Sequence, residues 1–342
     1  MKRIIEFIRR FFFFIPRVPN TVQISITNQC NFNCQMCQRN DLGVKFDKMP
    51  FETFEKVINK LPSKVNDLIL TGWGEPLTHN RLADMLLLCR KRGTKTRLTS
   101  NGALLSDDVI NLLIDSELAA ITFSMETIKP KVDSSGHEIK GQLEKISKLA
   151  EIVRKRGSVL KIYTQSVMQK DNHDDIMDIV DFAIENKLDR VRLTRLDIRF
   201  KEFDRPSFQD ELELVKKIDK KLRGTGIGVD FLPHTAFDGF VKHFYRAIYR
   251  FLHRGGKYCL RTYGDVYVNI DGEVTPCCSL PTMGLASLLE EDLEKIWKNE
   301  HFKKFRTHQK YICGKCDILT VKRFQEKGDS FDEDLIPKTE SV

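Results

Sequence analysis

The sequence lacks the long apolar runs that membrane-spanning helices require. No run reaches the roughly 18 to 20 residues of such a helix. The apolar N-terminus has no small-residue cleavage site after it, and Glu6, Arg9 and Arg10 interrupt what would be a signal-peptide core. Internal repeats and low-complexity tracts are also missing. These absences argue against an integral membrane protein, a secreted protein and a repeat architecture, and they predict a cytoplasmic location.

Most of the chain carries no excess of positive or negative charge. The net charge is +8. Residues 1–20 carry five basic and one acidic side chain, and residues 231–258 carry the same numbers, so each segment contributes +4. General nucleic-acid affinity is therefore not indicated, and an enzyme acting on RNA is an alternative with little support. Both segments are rich in aromatics. They either contact a membrane surface peripherally or pack their aromatics inward with the charges in water.

A disulfide framework is not expected, because nine cysteines occur without an export signal. In a reducing compartment, clustered cysteines more often bind metal or carry out chemistry. Cys89 stands alone in a helical pattern and is expected to be a buried packing residue. The others form an early group and a late group: Cys30, Cys34 and Cys37, and then Cys259, Cys277, Cys278, Cys313 and Cys316.

From residue 21 the sequence alternates between short β-rich runs and helical patterns with apolar residues three and four apart. The six β-rich runs are TVQISIT, DLILT, TRLTS, AAITFS, VLKIYTQSV and RVRLT. This alternation predicts a parallel sheet, either open or closed into a barrel. Ligands of such sheets bind at the carboxyl ends of the strands, and the early cysteines directly follow the first run.

The early cysteines have the spacing C-x3-C-x2-C, with no fourth cysteine nearby. Three thiolates on one short loop can ligate three irons of a 4Fe–4S cluster and leave the fourth iron open to a small ligand. Zinc is the competing interpretation. A structural zinc site needs four ligands, commonly as two separated C-x2-C pairs, and no neighbouring histidine completes one here. The spacing therefore favours an iron–sulfur cluster.

C-x3-C-x2-C after a first strand resembles the hallmark of the radical S-adenosylmethionine (radical SAM) enzymes. The resemblance implies a partial barrel of six βα units and a SAM molecule that chelates the open iron through its amino and carboxylate groups. An electron from the reduced cluster would then cleave SAM to methionine and a 5′-deoxyadenosyl radical, which abstracts hydrogen from the substrate. An electron donor such as flavodoxin or ferredoxin is implied as a partner.

Other segments carry the same resemblance. TGWGEPL is similar to the Gly-Gly-Glu-Pro segment of the family: Gly74, Glu75 and Pro76 match, and Trp73 replaces a glycine. The tryptophan can be accommodated if the backbone at Gly72 and Gly74 makes the close approach. The resemblance implies that this segment holds the SAM amino group, with Glu75 as the side chain involved. The alternative is that Glu75 is an exposed loop acid.

Three further sets of polar residues follow later strands. Ser100 and Asn101 in LTSNG resemble a ribose-contacting segment, although they also suit a turn. The other candidates for contact with SAM or substrate are Ser124 and Glu126 in FSMET, and Arg195, which would pair with the SAM carboxylate unless it is merely solvated.

The late cysteines provide a second signal. Four thiolates, from Cys259, Cys277, Cys313 and Cys316, could hold zinc or an iron–sulfur cluster. C-x12-G-x4-C from Cys259 through Gly272 to Cys277, the EKIW helix and the final C-x2-C resemble the SPASM/twitch extension of radical SAM enzymes. That resemblance implies auxiliary iron–sulfur clusters. No cysteine follows Cys316, so a single auxiliary 4Fe–4S cluster is expected, as in the shorter twitch arrangement.

A fully ligated auxiliary cluster would suit electron acceptance from a substrate radical, which gives net oxidation. Cys278 is left over. It is a candidate hydrogen-atom donor, as an epimerase would require, or an alternate ligand, or a small residue packed beside a ligand.

The expected fold is α/β, a partial (βα)6 TIM-like barrel with a small C-terminal SPASM/twitch-like α+β extension. The expected parts are a basic amphipathic helix (1–20), the barrel (21–200), a helical connecting segment (201–258), the auxiliary-cluster domain (259–322) and a polar tail (323–342).

The expected function is that of a radical SAM oxidoreductase. Only about 20 residues precede the first strand, which favours a carbohydrate or small metabolite over a peptide with a leader. The alternatives are an enzyme that modifies peptides, matures a cofactor or another enzyme, or epimerises its substrate. A non-catalytic iron–sulfur or zinc scaffold or sensor is the alternative of another class.

Overall fold

The computed structural model describes residues 15–313, apart from residues 66, 133–135, 137, 140, 198–203 and 233–258. The predictions for the first 14 residues, for most of the basic aromatic segment, for Cys316 and for the polar tail therefore lie outside the described residues. Within the described part, no helix has the length and apolar character needed to cross a membrane.

The helices in chain order are α1 Phe51–Asn59, α2 Leu82–Lys91, α3 Asp107–Asp115, α4 Gln142–Lys155, α5 His173–Glu185, α6 Phe208–Leu222, α7 Leu293–Ile296 and α8 Glu300–Ile312. The strands are β1 Thr21–Ile24, β2 Asp67–Ile69, β3 Lys95–Ser100, β4 Ala120–Ser124, β5 Lys131–Val132, β6 Glu138–Ile139, β7 Lys161–Met168, β8 Arg190–Arg195, β9 Gly228–Leu232, β10 Asp265–Val268, β11 Glu273–Thr275 and β12 Ala286–Ser287. All six predicted β-rich runs are strands, and each is followed by a helix.

The chain divides into two compact units. One comprises Met1–Asn28, Asn40–Gly72 and Asp238–Val342, and the other comprises Gln29–Arg39 and Trp73–Phe237. The second unit contains the parallel strands β3, β4, β7, β8 and β9, paired in that order. A two-stranded antiparallel hairpin, β5–β6, accompanies them.

Strand β9 was not predicted. It lies in the segment expected to be a helical connection, and it pairs in parallel with β8 along its whole length. Its sequence, GVDFL, is short and runs directly into the basic aromatic stretch, so no alternation marks it as a strand. In the second unit, the parallel sheet therefore continues one strand beyond β8, the last of the predicted β-rich runs.

The first unit contains β1 between two parallel neighbours, β2 and β10. Strand β10 then pairs antiparallel with β11, and β11 pairs antiparallel with β12. The turn between β10 and β11 contains Gly272 at φ +83°, a conformation that favours glycine. The predicted hairpin with its Asp271-Gly272 turn is confirmed, and it forms an antiparallel C-terminal extension.

Two helix predictions need correction. The pattern DLEKIWKNEHFKKFR predicts one helix, but the structure has α7 and α8 separated at Trp297–Asn299. The side chain of Asn299 accepts a hydrogen bond from the Phe302 N–H at 2.8 Å, so this asparagine caps a new helix. Residues 15–20 form no helix either, because Pro16 and Pro19 disfavour one.

The isolated Cys89 lies in α2 and is fully buried. Its predicted role as a packing cysteine is confirmed, and burial raises the pKa of its thiol to about 11. A thiol with this pKa is protonated at neutral pH and is a poor nucleophile or metal ligand.

Candidate functional site

The early cysteines lie on the loop Gln29–Arg39 of the second unit. Cys34 is exposed, and Cys30 and Cys37 are half-buried. The Cys37 N–H donates to the Cys34 carbonyl at 3.0 Å, which makes a tight turn between these two residues. The Phe32 N–H lies 3.4 Å from Cys30 Sγ and donates to it. The loop thus presents three thiols, and backbone already supports the sulfur of one of them.

The three thiols of this loop suit a cluster better than a single ion. A structural zinc ion needs four protein ligands. A 4Fe–4S cluster takes one thiolate per iron and therefore needs sulfurs distributed around it. The three thiols on one short loop fit that need.

Glu75 occupies the centre of the polar site. It is only 2% exposed, and its carboxylate accepts three hydrogen bonds. The Ser100 hydroxyl donates to Oε1 at 2.8 Å, the Leu77 N–H donates to Oε1 at 3.0 Å, and the Asn101 N–H donates to Oε2 at 2.6 Å. Burial raises the pKa of the Glu75 carboxyl, and these three donors oppose the rise. Glu75 is therefore not the exposed loop acid of the alternative interpretation.

Asn101 connects Glu75 to the cysteine loop. Its amide Nδ2 donates to Asn31 Oδ1 at 2.8 Å and lies 3.8 Å from Cys30 Sγ, within the range of a hydrogen bond to sulfur. Its Oδ1 accepts from the Ala103 N–H at 3.0 Å. The structure therefore brings Cys30, Glu75, Ser100 and Asn101 into one continuous hydrogen-bonded group.

One glutamine supports this group and another anchors the end of the cysteine loop, and the sequence interpretation missed both. Gln142, at the start of α4, donates from Nε2 to the Asn101 carbonyl. Gln38, next to Cys37, is 2% exposed and donates from Nε2 to the Asp197 carbonyl at 2.7 Å. No motif marks either residue. Only their positions, one beside a cysteine and one at a helix start after β4, point to them.

The remaining candidates lie elsewhere in this unit. Ser124 is half-buried at the end of β4, opposite Gln165 of β7. Glu126 follows two residues later and is also half-buried. The Arg195 side chain is 5% exposed and its Nε lies 2.5 Å from Glu211 Oε2 in a buried ion pair. Arg195 is thus buried and ion-paired, not solvated.

Gly72, in the first unit, explains how the TGWGEP segment follows β2. A Cβ on this residue would lie 1.8 Å from Ser25 Oγ and 2.6 Å from Ser25 Cβ. No side chain fits there. The backbone at Gly72 therefore approaches Ser25 closely, directly after β1. This contact accounts for the first of the two glycines of the prediction, and the role of Gly74 stays a prediction.

The late cysteines lie around the β10–β11 hairpin and α8 in the first unit. Cys259 is buried, whereas Cys277, Cys278 and Cys313 are half-buried. The Cys277 carbonyl accepts from the Leu280 N–H at 3.1 Å, which closes a turn directly after β11. Cys313 is the C-cap residue of α8.

Gln309 joins two of these cysteines, and it too was missed. The Cys259 N–H donates to Gln309 Oε1 at 2.7 Å, and the Cys313 N–H donates to the Gln309 carbonyl at 2.8 Å. Gln309 also donates from Nε2 to the Thr262 hydroxyl at 2.5 Å. Arg306, one turn earlier, is 2% exposed and its guanidinium lies 4.0 Å from the Trp297 ring. A buried side chain of α8 therefore fixes the backbone that carries Cys259, and Cys313 follows at the end of the same helix.

Comparison with known families agrees with both cysteine groups. The profile of the Radical SAM superfamily matches residues 24–183, and the profile of the SPASM iron–sulfur cluster-binding domain matches residues 259–317. The first match includes the early cysteines, and the second includes the late ones.

Individual relatives are more distant. The chain is 27% identical over 180 residues to a tungsten-containing aldehyde ferredoxin oxidoreductase cofactor-modifying protein of Pyrococcus furiosus, covering 51% of this chain and 50% of the relative. It is 22% identical over 325 residues to the PqqA peptide cyclase of Rhizobium meliloti, covering 90% of this chain and 82% of the relative. The chain spans between half and two thirds of the length of the first curated relatives it matches.

The fold has solved counterparts. The structure of Streptococcus suis SuiB bound to the precursor peptide SuiA matches with a TM-score of 0.66 and 18% sequence identity, covering 98% of this chain and 80% of SuiB. This likeness confirms the predicted α/β fold, with the parallel sheet of a partial barrel and a C-terminal extension.

Proposed function

The chain is a radical SAM enzyme with a C-terminal SPASM iron–sulfur domain, and from this premise we propose that it is an oxidoreductase with one auxiliary cluster. Cys30, Cys34 and Cys37 would hold the SAM-binding 4Fe–4S cluster. When bound, SAM and the reduced cluster supply a 5′-deoxyadenosyl radical that removes a hydrogen atom from the substrate. The predicted non-catalytic scaffold or sensor is disfavoured by the family match.

The observation that carries this proposal is the hydrogen-bonded group around Glu75. Asn101 lies 3.8 Å from Cys30 Sγ, and its backbone N–H is held by the Glu75 carboxylate at 2.6 Å. Burying a charged group is costly unless it is hydrogen-bonded, so a buried carboxylate needs a set of donors arranged around it. A non-catalytic scaffold has no use for such an arrangement beside its cluster loop. A carboxylate has about four acceptor positions, and three of them are occupied here. One position remains for a donor such as the SAM amino group, while Gly74 supplies backbone and Ser100 and Asn101 supply polar groups for the ribose.

The role of the Glu75 group is tested by SAM binding to the reduced, cluster-loaded protein. Added SAM should change the electron paramagnetic resonance spectrum of the wild type. Glu75→Gln should weaken this response at least about tenfold in SAM concentration, because one charge-assisted acceptor contributes roughly 1.5–3 kcal/mol. An unchanged response in Glu75→Gln, with the same iron content, would contradict the assignment of Glu75.

Cys259, Cys277, Cys313 and Cys316 would ligate the auxiliary cluster, which supplies an acceptor for the electron of the substrate radical. Of these ligands, Cys259, Cys277 and Cys313 are described, and they lie around one hairpin and the end of α8. The Gln309 side chain fixes the backbone of Cys259. Cys278 stays next to a ligand as a candidate hydrogen-atom donor or alternate ligand. Anaerobically reconstituted protein should contain about eight irons per chain, from two four-iron clusters. About four irons together with zinc would refute the auxiliary cluster.

The names of two relatives favour different classes of substrate. The PqqA peptide cyclase, aligned over most of the chain, favours a peptide by its name. The Pyrococcus relative, aligned over half of the chain, favours a cofactor. The carbohydrate or small metabolite expected from the sequence has no support from these two relatives and stays a prediction. Candidate sugars, peptides and cofactor precursors can be ranked by how much each accelerates 5′-deoxyadenosine release. A flavodoxin or ferredoxin would deliver the electron in the cytoplasm.

A further inference from the structure

The second unit has a polar face that none of the assigned cofactor residues explains. Strand register places Ser124, Gln165, Arg192 and Asp230 in one row across β4, β7, β8 and β9. Side chains alternate between faces along a strand. The neighbouring positions Phe123, Val191 and Leu193 point the other way and are fully buried, as residues covered by the helices would be. The row therefore belongs to the opposite, partly accessible face.

Arg192 is held in position on this face. Its guanidinium lies 4.5 Å from the centre of the Tyr163 ring, and its Nη1 lies 3.4 Å from the Thr122 hydroxyl. Its side chain is 22% exposed. The aromatic ring and the hydroxyl orient the planar group along the row toward β4, where Ser124 lies. Because neighbouring strands are about 4.8 Å apart, the backbones of β8 and β4 are separated by about 10 Å.

The charge of Arg192 is not fully neutralised. The Asp230 carboxylate lies 3.5 Å from Arg192 Nε. It lies closer to Arg190, whose Nη1 is 2.5 Å from Asp230 Oδ1. Gly228 makes room for this pair, since a Cβ there would lie 2.9 Å from the Arg190 guanidinium carbon. Two guanidinium groups share one carboxylate, and the buried Nε of Arg192 makes no hydrogen bond. Burial also lowers the pKa of Arg192.

We propose that Arg192 binds an anionic group of the substrate, a phosphate or a carboxylate, on this face of the parallel sheet. The guanidinium is planar and offers paired N–H donors that match either anion. The ring beneath it limits the rotation of the side chain and favours one orientation. The proposal rests on the proposed function, because it places the substrate anion in the row that ends at Ser124, at the carboxyl end of β4. It restricts the substrate to peptides, sugars or cofactor precursors that carry such a group.

The test uses cluster-loaded protein and two simple probes, inorganic phosphate and acetate, each added at constant ionic strength. A ligand that binds only the folded state raises the thermal unfolding midpoint. At least one probe should raise the midpoint of the wild type and of Arg223→Leu, a matched change at an exposed arginine of the same unit. Arg192→Leu should lose the shift. Arg192→Lys, which keeps the charge but lacks the fork, should show a smaller one.

The outcomes distinguish a phosphate from a carboxylate. They also distinguish a failure of the anion site from a failure of the proposed function. A larger shift with phosphate indicates a phosphorylated substrate, and a larger shift with acetate indicates a carboxylate. No shift in the wild type, or an equal shift in Arg192→Leu, overturns the anion site. SAM should bind Arg192→Leu as it binds the wild type; weaker SAM binding would assign the anion to the SAM carboxylate and overturn the substrate site. Formation of 5′-deoxyadenosine without substrate tests the proposed function alone, and it should be equal in wild type and in Arg223→Leu, whose arginine is exposed and outside the proposed site.

Discussion

The side-chain oxygen of Gln309 accepts a hydrogen bond from the backbone N–H of Cys259 at 2.7 Å, fifty residues earlier in the chain. The carbonyl of the same glutamine accepts from the N–H of Cys313. The second bond is the last main-chain bond of α8, so the side chain of this fully buried residue anchors the backbone of one proposed cluster ligand to the helix that ends at another. An arrangement of this kind holds the ligand backbone in place before the metal binds, which lowers the ordering cost of binding.

Gln309→Leu should therefore impair the auxiliary cluster selectively. The change leaves the Cys259 N–H without its partner, at a cost of roughly 1–3 kcal/mol when buried. It also removes a donor to the Thr262 hydroxyl, which still donates to the Cys259 carbonyl. Iron content should fall from about eight toward about four per chain, while SAM still perturbs the remaining cluster. Thr307→Ala, on the exposed side of the same helix, is the matched control. Equal iron content in Gln309→Leu and wild type would contradict the role of Gln309.

Asn101→Ala should make the early cluster harder to reduce. Hydrogen bonds to cluster sulfurs stabilise the more negative, reduced state, so removal of the Nδ2 donor near Cys30 should lower the midpoint potential. The measurement is a redox titration followed by electron paramagnetic resonance. Asn111→Ala, at a surface asparagine that pairs with Arg156, should leave the potential unchanged. A potential for Asn101→Ala that equals the wild-type value would show that Asn101 does not support the cluster.

Arg195→Met should act on stability and leave SAM binding unchanged. Removing one member of a buried ion pair strands the other charge, here that of Glu211, and costs about 3–5 kcal/mol. The double variant Arg195→Met with Glu211→Leu should recover much of that loss, because both charges are then gone. Urea unfolding measures the stabilities. Weakened SAM binding in the double variant, with stability near that of the wild type, would contradict this expectation and support Arg195 as a SAM ligand.

The fold was predictable because its signals are local. Each β-rich run is followed by an amphipathic helix, and Asp271-Gly272 marks the hairpin. The break between α7 and α8 was missed because an asparagine within a helical pattern also fits an exposed helix position. Only the capping geometry of Asn299 distinguishes the two. Strand β9 was missed because it has only five residues and continues into an aromatic run, so the sequence shows no alternation of apolar and polar residues there.

The candidate site was predictable to the extent that short motifs carry it. The cysteine loop, Glu75, Ser100 and Asn101 stand in recognisable segments, and the structure brings Cys30 together with the last three. Gln38, Gln142 and Gln309 stand in none. Each acts through one side-chain amide on backbone that lies 41 to 159 residues away in the chain. Such contacts depend on the folded arrangement of distant strands and leave no local pattern.

The most direct test of the account is anaerobic formation of 5′-deoxyadenosine from SAM by reduced, cluster-loaded protein. Wild type should form it, and Cys34→Ala should not. Cys34 is exposed, so its removal does not disturb the core, whereas Cys89→Ala makes the same change at a fully buried cysteine away from the site and should retain product formation. Product from Cys34→Ala at the wild-type rate would contradict the assignment of the C-x3-C-x2-C loop as the SAM-cleaving centre.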